Sequence, residues 1–519
     1  MEISALSLAF ACLAFFIALS ARYFTHMFQL NSYTAKVQLV WMGKNFARFI
    51  PCIALGVAAV LCSFFTYRAY AYAYLFFALA ALLLSLFYTP KKAKKPLVYT
   101  ARVKRLLTTY SVIILACMAA CAVVGGALSL YILAIVSVAS PFIVIIANII
   151  NAPIEAAVRR YYINDAKKML RSHSRLKIIG ITGSFGKTSV KYYLTALLGA
   201  KYNVLMTPES YNTPMGVVKT IRGSLRATHE IFVCEMGAKY VGDIKELCDI
   251  VHPHNGIVTS IGEQHLESFG SVQNIINTKY ELASGIDESG KLFINISSDT
   301  INQNRPSRDA ITYGLTPDAD YYATNIAVSG AGTTFTLCHK DEKEEYRTRL
   351  IGEANVVNIV GAIAAAHGAY GIALSNLKSA VANLKCVPHR MELLDRGGMI
   401  IIDDAFNSNP AGAAAALRTV GLFDAVKIIV TPGMIELGEK SDELNGELGK
   451  NAAAVCDYIV AVGEKQAKPI VKGALEANFD ESRIYVAKTF NDAMTFVNSI
   501  NAGSKKKVVL LENDLPDNF

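Results

Sequence analysis

Apolar residues fall in long unbroken blocks over the first 150 positions and in short, spaced bursts over the rest. The long blocks are Ile3–Ala21, Phe49–Tyr67, Tyr70–Tyr88, Ser111–Leu128 and Ser129–Ile150. Each is near the length of about 20 residues that a helix needs to cross a bilayer. A very short turn separates the last two, so four spans or a re-entrant pair stand beside five. The first block lacks a basic leader and is followed by further blocks, which favours an anchor over a signal peptide. Positions 152–177 read as a basic amphipathic helix. From Ile178 onward, strand-like bursts alternate with helical segments: Gly256–Ile261, Lys291–Ile296, Met399–Asp403, Val426–Thr431, Tyr458–Gly463 and Lys507–Glu512. Such alternation predicts α/β domains with largely parallel sheets. The Lys385–Arg390 stretch, with Pro388, reads as a boundary. The expected segments are therefore a transmembrane block (1–150), a linker helix (151–177), a larger α/β domain (178–386) and a smaller one (387–519).

Charge sharpens this division. Residues 1–150 hold 12 Lys/Arg and one acid, Glu2, whereas the remainder holds 39 Lys/Arg and 41 Asp/Glu. The formal charge of +9 thus belongs to the first block. That argues against a nucleic-acid surface on the rest of the chain. Basic residues cluster after the first block (Arg22, Lys36, Lys44, Arg48), after the third (Lys91, Lys92, Lys94, Lys95, Arg102, Lys104, Arg105) and after the fifth (Arg159, Arg160, Lys167, Lys168, Arg171). Arg68 stands alone after the second. The positive-inside rule then predicts an outside N-terminus and a cytoplasmic C-terminal region. The apolar blocks carry almost no ionisable residues, which favours an anchor, or a lipid-substrate role with the basic loops, over a transporter. Ten cysteines occur without any CxxC and read as reduced thiols.

The chemistry concentrates behind the membrane block. In KIIGITGSFGKTSVKYYL (Lys177–Leu194) an apolar strand runs into a turn of small residues and then a helix. Thr182, Gly183, Ser184, Gly186, Lys187, Thr188 and Ser189 make a phosphate cradle. The glycines admit backbone N–H groups, Lys187 reaches terminal phosphates, and the Thr188 hydroxyl suits Mg²⁺. A second strand, Ile231–Cys234, delivers Glu235, a carboxylate suited to the same ion. His265 follows a strand and a turn. Lys279 lies on the next helical segment with Glu281. Taken alone, His265 reads as a surface or hydrogen-bonded residue and Lys279 as a solvated helix lysine.

The order and spacing of these segments resemble the Mur ligase superfamily. The I-G-x-x-H-L-E-x-F-G-S and x-K-x-E segments are similar to those of its MurF-like branch, which adds D-Ala-D-Ala to a cell-wall precursor. The resemblance implies that His265 binds a second Mg²⁺ and that Lys279 is carbamylated, turning a cation into a metal-binding carboxylate. It implies adenine-region contacts for Asn355 and Asn358 in Gly352–Gly371, where Ala354 replaces the family's His. It assigns Arg390 to the terminal phosphate, although His389 replaces the preceding Gly. In Ile400–Pro410 it gives Asp404 the ribose and Asn407 a part in orienting the site. Lys187, Lys279, His265 and Arg390 are thus the implied catalytic set, and Thr188, Glu235, His265 and Lys279 the metal set. Thr431–Asn445 resembles the branch's G-x-M-x-E-L-G segment. The larger α/β domain corresponds to the family's central ATP-binding domain and the smaller one to its Rossmann-like C-terminal domain.

Two departures bear on substrate. The branch's usual N-terminal UDP-binding domain is replaced by the apolar block. The last strand runs into VVLLENDLPDNF (Val508–Phe519) in place of K-G-S-R. The implied activity is an ATP-dependent, ADP-forming amide ligase working through an acyl phosphate. Its implied partners are a muropeptide precursor, UDP- or lipid-linked, an amine such as D-Ala-D-Ala, and the bilayer. The alternatives are a poly-γ-glutamate-type or other amino-acid polymer ligase, a non-catalytic assembly scaffold and a transport ATPase. The superfamily's lipid-precursor amidating subunit fits less well, since this chain lacks its four-cysteine zinc insertion.

Overall fold

The computed structural model describes residues 2–65, 70–90, 95–329, 332–406, 408–435 and 437–514. Asn407, Arg68, Lys91, Lys92 and Lys94, named above, lie outside the described residues. The described residues divide into two compact units, 2–160 and 161–514.

In the first unit five helices are long and apolar enough to span a membrane: Ser4–Leu30, Phe46–Ser63, Tyr70–Tyr88, Ala101–Val124 and Gly126–Ser172. Their buried faces include small residues, Ala5, Ala9, Ala59, Ala73 and Ala81. Small side chains let apolar helices approach closely where the hydrophobic effect offers no drive between them. The break between the fourth and fifth helices falls at Gly125 and Gly126, both left-handed at φ 64° and 54°. That is three residues before the turn expected from hydropathy. A further difference follows. No glycine occurs from 127 to 172, so nothing interrupts the helical period where the apolar block ends. The expected linker helix is therefore continuous with the last apolar stretch, as one 47-residue helix containing Pro141 and Pro153.

The second unit holds two sheets. The first has nine strands in the order β2-β3-β1-β4-β5-β6-β7-β8-β9. These are β1 Lys177–Thr182, β2 Val204–Met206, β3 Ile231–Glu235, β4 Asn255–Val258, β5 Leu292–Asn295, β6 Ile311–Gly314, β7 Tyr321–Ser329, β8 Gly332–His339 and β9 Glu342–Thr348. The pairs from β2 to β7 are parallel, and β7-β8-β9 form an antiparallel meander. The sequence-level expectation of parallel sheets did not include this meander. Strand order reverses at β1, so its carboxyl end is a topological switch point, where open α/β sheets bind ligands. The helix Glu353–Tyr370 is buried nearly all round, with Ala362, Ala364, Ala365 and Ala366 fully enclosed. It packs in one core with Leu194, Leu197 and Leu198 of the helix Lys187–Leu198. Each fully buried leucine contributes about 1.5–3 kcal/mol.

The second sheet has six strands in the order β10-β11-β15-β12-β13-β14. They are β10 Glu392–Asp395, β11 Met399–Asp404, β12 Val426–Thr431, β13 Tyr458–Val462, β14 Ile484–Ala487 and β15 Lys507–Glu512. Only β10 runs antiparallel. All ten cysteines are free.

Candidate active site

The phosphate cradle forms where β1 ends. Gly183 has φ 147°, and a Cβ there would strike the Thr259 hydroxyl and the Ser260 backbone. Ser184 fixes the loop laterally. Its N–H donates to Ser260 O at 2.7 Å, its hydroxyl donates to Gly262 O at 3.1 Å, and it accepts from the Gly262 N–H. The Phe185 N–H donates to Ser260 Oγ at 2.9 Å, and the Thr259 hydroxyl donates to Phe185 O. Gly186 opens the helix Lys187–Leu198 at φ 80°. Its place for a Cβ lies 2.6 Å from Asn358 Oδ1. Gly186→Ala therefore combines left-handed strain of about 1–2 kcal/mol with that contact. Calorimetric titration of this variant is expected to give an ATP Kd weaker by about tenfold; an unchanged Kd would remove the assigned role of the loop conformation.

Inside the loop, Lys187 Nζ donates to Gly183 O at 2.6 Å and Ser184 O at 2.8 Å. Burial lowers its pKa to about 8; the Glu235 charge opposes this and the Arg390 charge adds to it. Thr188 Oγ1 donates to Glu235 Oε1 at 3.2 Å. Glu235, at the end of β3, is fully buried. Burial alone would raise its pKa. The charges of Lys191 and Lys187 and a hydrogen bond from Asn212 outweigh burial and hold it below the usual carboxylate range. Lys191 Nζ lies 2.9 Å from Oε2, and Asn212 Nδ2 donates to Oε1 at 3.0 Å. The motif reading missed these two residues. Lys191 was legible, since it follows Lys187 by four positions and shares its helix face. Asn212 lies on a loop between β2 and β3 and carries no local signal.

Lys279 is buried on the helix Val272–Gly285, with Nζ 5.9 Å from the Phe269 ring centroid. Burial, then the Lys187 charge, press its pKa well below that of a free lysine, against the pull of Asp243 and Glu281. It is not the solvated lysine that its isolated sequence suggests. Glu281 holds the helix in place, accepting from the N–H groups of Gly242 and Lys245 at 2.9 and 2.8 Å. It thereby caps the helix Asp243–Val251. His265 is half-buried and left-handed at φ 54°, and its carbonyl accepts from the Ser268 N–H at 2.9 Å. It stands three residues beyond Gly262, whose backbone is bound to Ser184.

Other expected residues serve the frame. The Thr182 hydroxyl donates to Met236 O at 2.9 Å, Ser189 hydrogen-bonds Tyr193, and Asn355 accepts from Tyr193 Oη at 2.7 Å while donating to Ile351 O. Their side chains join elements of the core, and Asn358 stands beside Gly186 of the loop.

From the second sheet, Arg390 places its guanidinium 4.3 Å over the Phe406 ring. Burial lowers its pKa, opposed by Glu235 and Asp404. Burial raises Asp404 to about 6, against Arg390, and its Oδ1 accepts from the Met391 N–H. His389, at φ 58°, occupies the left-handed backbone that a glycine takes without strain; its Nδ1 lies 2.8 Å from Asp403 Oδ2. Beyond Asp404, the Ser408 hydroxyl donates to Glu512 Oε1 at 2.5 Å, and Asn513 accepts from the Ser408 N–H and donates to Gly433 O. The divergent C-terminal stretch therefore ties down Ser408. Lys440 and Glu263 pair at 2.7 Å between the segments flanking the two sheets. Their exposure to solvent screens this pair and keeps its contribution small.

A chain of charge interactions thus runs through the cradle: Lys187 feels Glu235 and Arg390, Lys279 feels Lys187, and Asp404 feels Arg390. Residues 181–366 match the family model of the Mur ligase middle domain, and residues 389–511 that of the "Mur ligase, glutamate ligase domain". The UDP-N-acetylmuramoyl-tripeptide–D-alanyl-D-alanine ligase of Bacillus subtilis is 33% identical over 313 residues, 59% of this chain and 67% of that protein. The Escherichia coli enzyme of the same name is 29% identical over 334 residues, 62% and 73% of the two chains. A crystal structure of MurF from Acinetobacter baumannii superposes with a TM-score of 0.62 at 26% identity, covering 68% of this chain and 77% of that one.

Proposed function

The chain belongs to the Mur ligase family, and on that premise we propose that it joins a D-alanyl dipeptide or amino acid to a muramoyl-peptide precursor of peptidoglycan, cleaving ATP to ADP and phosphate. The observation that carries this reading is the gathering of Lys187, Thr188, Glu235 and Arg390, from both sheets, on one phosphate loop. A precursor carboxylate attacks the γ-phosphorus of ATP, giving an acyl phosphate and ADP. The amine attacks the acyl carbon, loses a proton, and phosphate departs with one of the original carboxylate oxygens. Lys187 and Arg390 neutralise charge on the transferring phosphoryl group, and loop N–H groups hold its neighbours.

Magnesium fits the residues present. The Thr188 hydroxyl and Glu235 carboxylate offer hard oxygen donors beside the cradle. When bound, Mg²⁺ supplies charge neutralisation on the phosphates. A second ion suits His265 and Lys279 only once the amine is converted to a carbamate. The lowered Lys279 pKa supports that conversion, because CO₂ adds to a neutral amine. The five apolar helices and the basic loops support a multi-pass membrane protein with its catalytic unit in the cytoplasm. The precursor there is UDP-linked or lipid-linked.

Precursor labelled with ¹⁸O in the acceptor carboxylate tests the reaction. One label should appear in the released phosphate for each amide formed. Amide formation with unlabelled phosphate would exclude the acyl-phosphate route.

A further inference from the structure

The first unit contains an unbalanced charge. Residues 1–160 hold two acids, Glu2 and Glu155. Glu155 is taken by Arg105, whose Nε and Nη2 donate to its two oxygens at 2.7 and 2.9 Å. Arg102, in the first turn of the helix Ala101–Val124, forms no ion pair among the described residues. Its guanidinium lies 3.9 Å from the Tyr33 ring centroid, and its Nη2 donates to Asn148 Oδ1 at 3.3 Å. Its Nε is buried without a hydrogen-bond partner.

Two amides at the same end of the bundle repeat the pattern. Gln38 is 0% exposed; its Oε1 accepts from Asn31 at 2.8 Å, while its Nε2 has no partner. Asn151 is 5% exposed; its Oδ1 accepts from the Thr109 hydroxyl at 2.9 Å, and its Nδ2 has no partner. A run of contacts connects them. Asn31 bonds Gln38, Tyr33 two residues on stacks with Arg102, and Arg102 bonds Asn148, one helical turn from Asn151. In both amides the acceptor is used and the donor is left. Each orphaned buried donor costs about 1–3 kcal/mol, and native interiors keep few of them. Three unused donors, one of them on a cation without a counter-charge, ask for an anion with several acceptor oxygens. Arginine and amide N–H groups suit phosphate. Val37, Leu39, Val40 and Phe46 on the adjoining segments are exposed apolar side chains.

We propose that Arg102, Gln38 and Asn151 form a binding site for the phosphate or pyrophosphate headgroup of a membrane lipid. The site rests on the membrane reading given above. It lies at the end of the bundle that the loop charges assign to the cytoplasm, and it makes a lipid-linked ligand the natural occupant.

The full chain in detergent is titrated with a long-chain prenyl phosphate, the prenyl alcohol of the same length and inorganic phosphate, with binding read by native mass spectrometry. The prenyl phosphate should bind saturably, and the alcohol and inorganic phosphate at least about tenfold more weakly, the loss of one charge-assisted contact set. Arg102→Gln should lose most of that binding. Gln38→Glu keeps the side-chain shape while replacing the unused donor with a carboxylate oxygen, and should lose it too. Equal binding by both variants, or by the alcohol, would overturn the site. Inorganic phosphate binding as tightly as the lipid would overturn the lipid as occupant. Alkaline carbonate washing of cell membranes separates the two levels: a chain released by the wash fails the membrane reading, whereas a retained chain that does not discriminate the headgroup fails the site alone.

Discussion

Lys187→Ala is expected to lower ligase kcat/KM by at least about 10³, or about 4 kcal/mol of transition-state stabilisation. The ammonium is held within the loop by the Gly183 and Ser184 carbonyls. In the proposed reaction it is the loop's own cation for the γ-phosphate, with Arg390 as a second from the segment before the other sheet. Its pH behaviour gives a second reading of the same role. In the nucleotide-free site its pKa is about 8, below its usual value of 10.5. ATP favours the protonated form, so affinity is full below pH 8 and falls as pH rises through that value, by one proton per nucleotide. Lys187→Ala should bind ATP weakly at every pH and show no such fall. Calorimetric Kd values between pH 6.5 and 9.5 check both points, and a wild-type Kd that is flat across that range would contradict the protonation assigned to Lys187.

Lys279→Ala should also abolish ligation, by about 10²–10³ or more, but for a different chemical reason. The group proposed here is an anion made from an amine. A lysine whose pKa lies well below its normal value presents a neutral amine, and CO₂ adds to it with release of one proton. Two consequences separate a carbamate from a simple ammonium. Short carboxylates such as acetate should restore part of the Lys279→Ala activity by filling the vacated space with oxygen ligands. Lys279→Arg, which preserves positive charge, should remain inactive and unrescued. Full activity in Lys279→Arg would eliminate the carbamate role, whatever the rescue shows.

These two lysines also show what can be read from the chain. The phosphate loop was legible because strand, glycine turn and helix are contiguous, and a contiguous signal survives in sequence. The parallel strands of the second sheet were legible for the same reason, as short β-branched runs. Lys279 was legible only through a resemblance. Its burial depends on Phe269, Lys187 and the Glu281 cap, brought together by a fold rather than by spacing. Asn212 left no trace, since a loop asparagine carries the same local signal whether it caps a turn or holds a carboxylate. The β7-β8-β9 meander escaped for a different reason. Its exposed positions include Asn325, Ser329, Thr334, Glu342, Lys343, Glu345 and Arg347, so the alternation resembles loop polarity as much as a strand with one wet face. Hydropathy located the five apolar helices but misplaced the fourth break, because a left-handed glycine pair ends a helix even within an apolar run. Asn355, assigned to nucleotide by resemblance, also ties Tyr193 to Ile351, a framing contact that its motif does not reveal.

The buried pair of Glu235 and Lys191 sets an order of events. With an ammonium 2.9 Å from it, the carboxylate is already neutralised before any metal arrives. A lone divalent cation entering there would meet a second positive charge and gain little. A cation that arrives with a polyphosphate brings its own negative charge and needs from the protein only oxygen lone pairs and a place to sit. On the metal role proposed for Glu235, the free enzyme should therefore collect magnesium poorly from solution, and the ion should enter as the companion of its nucleotide.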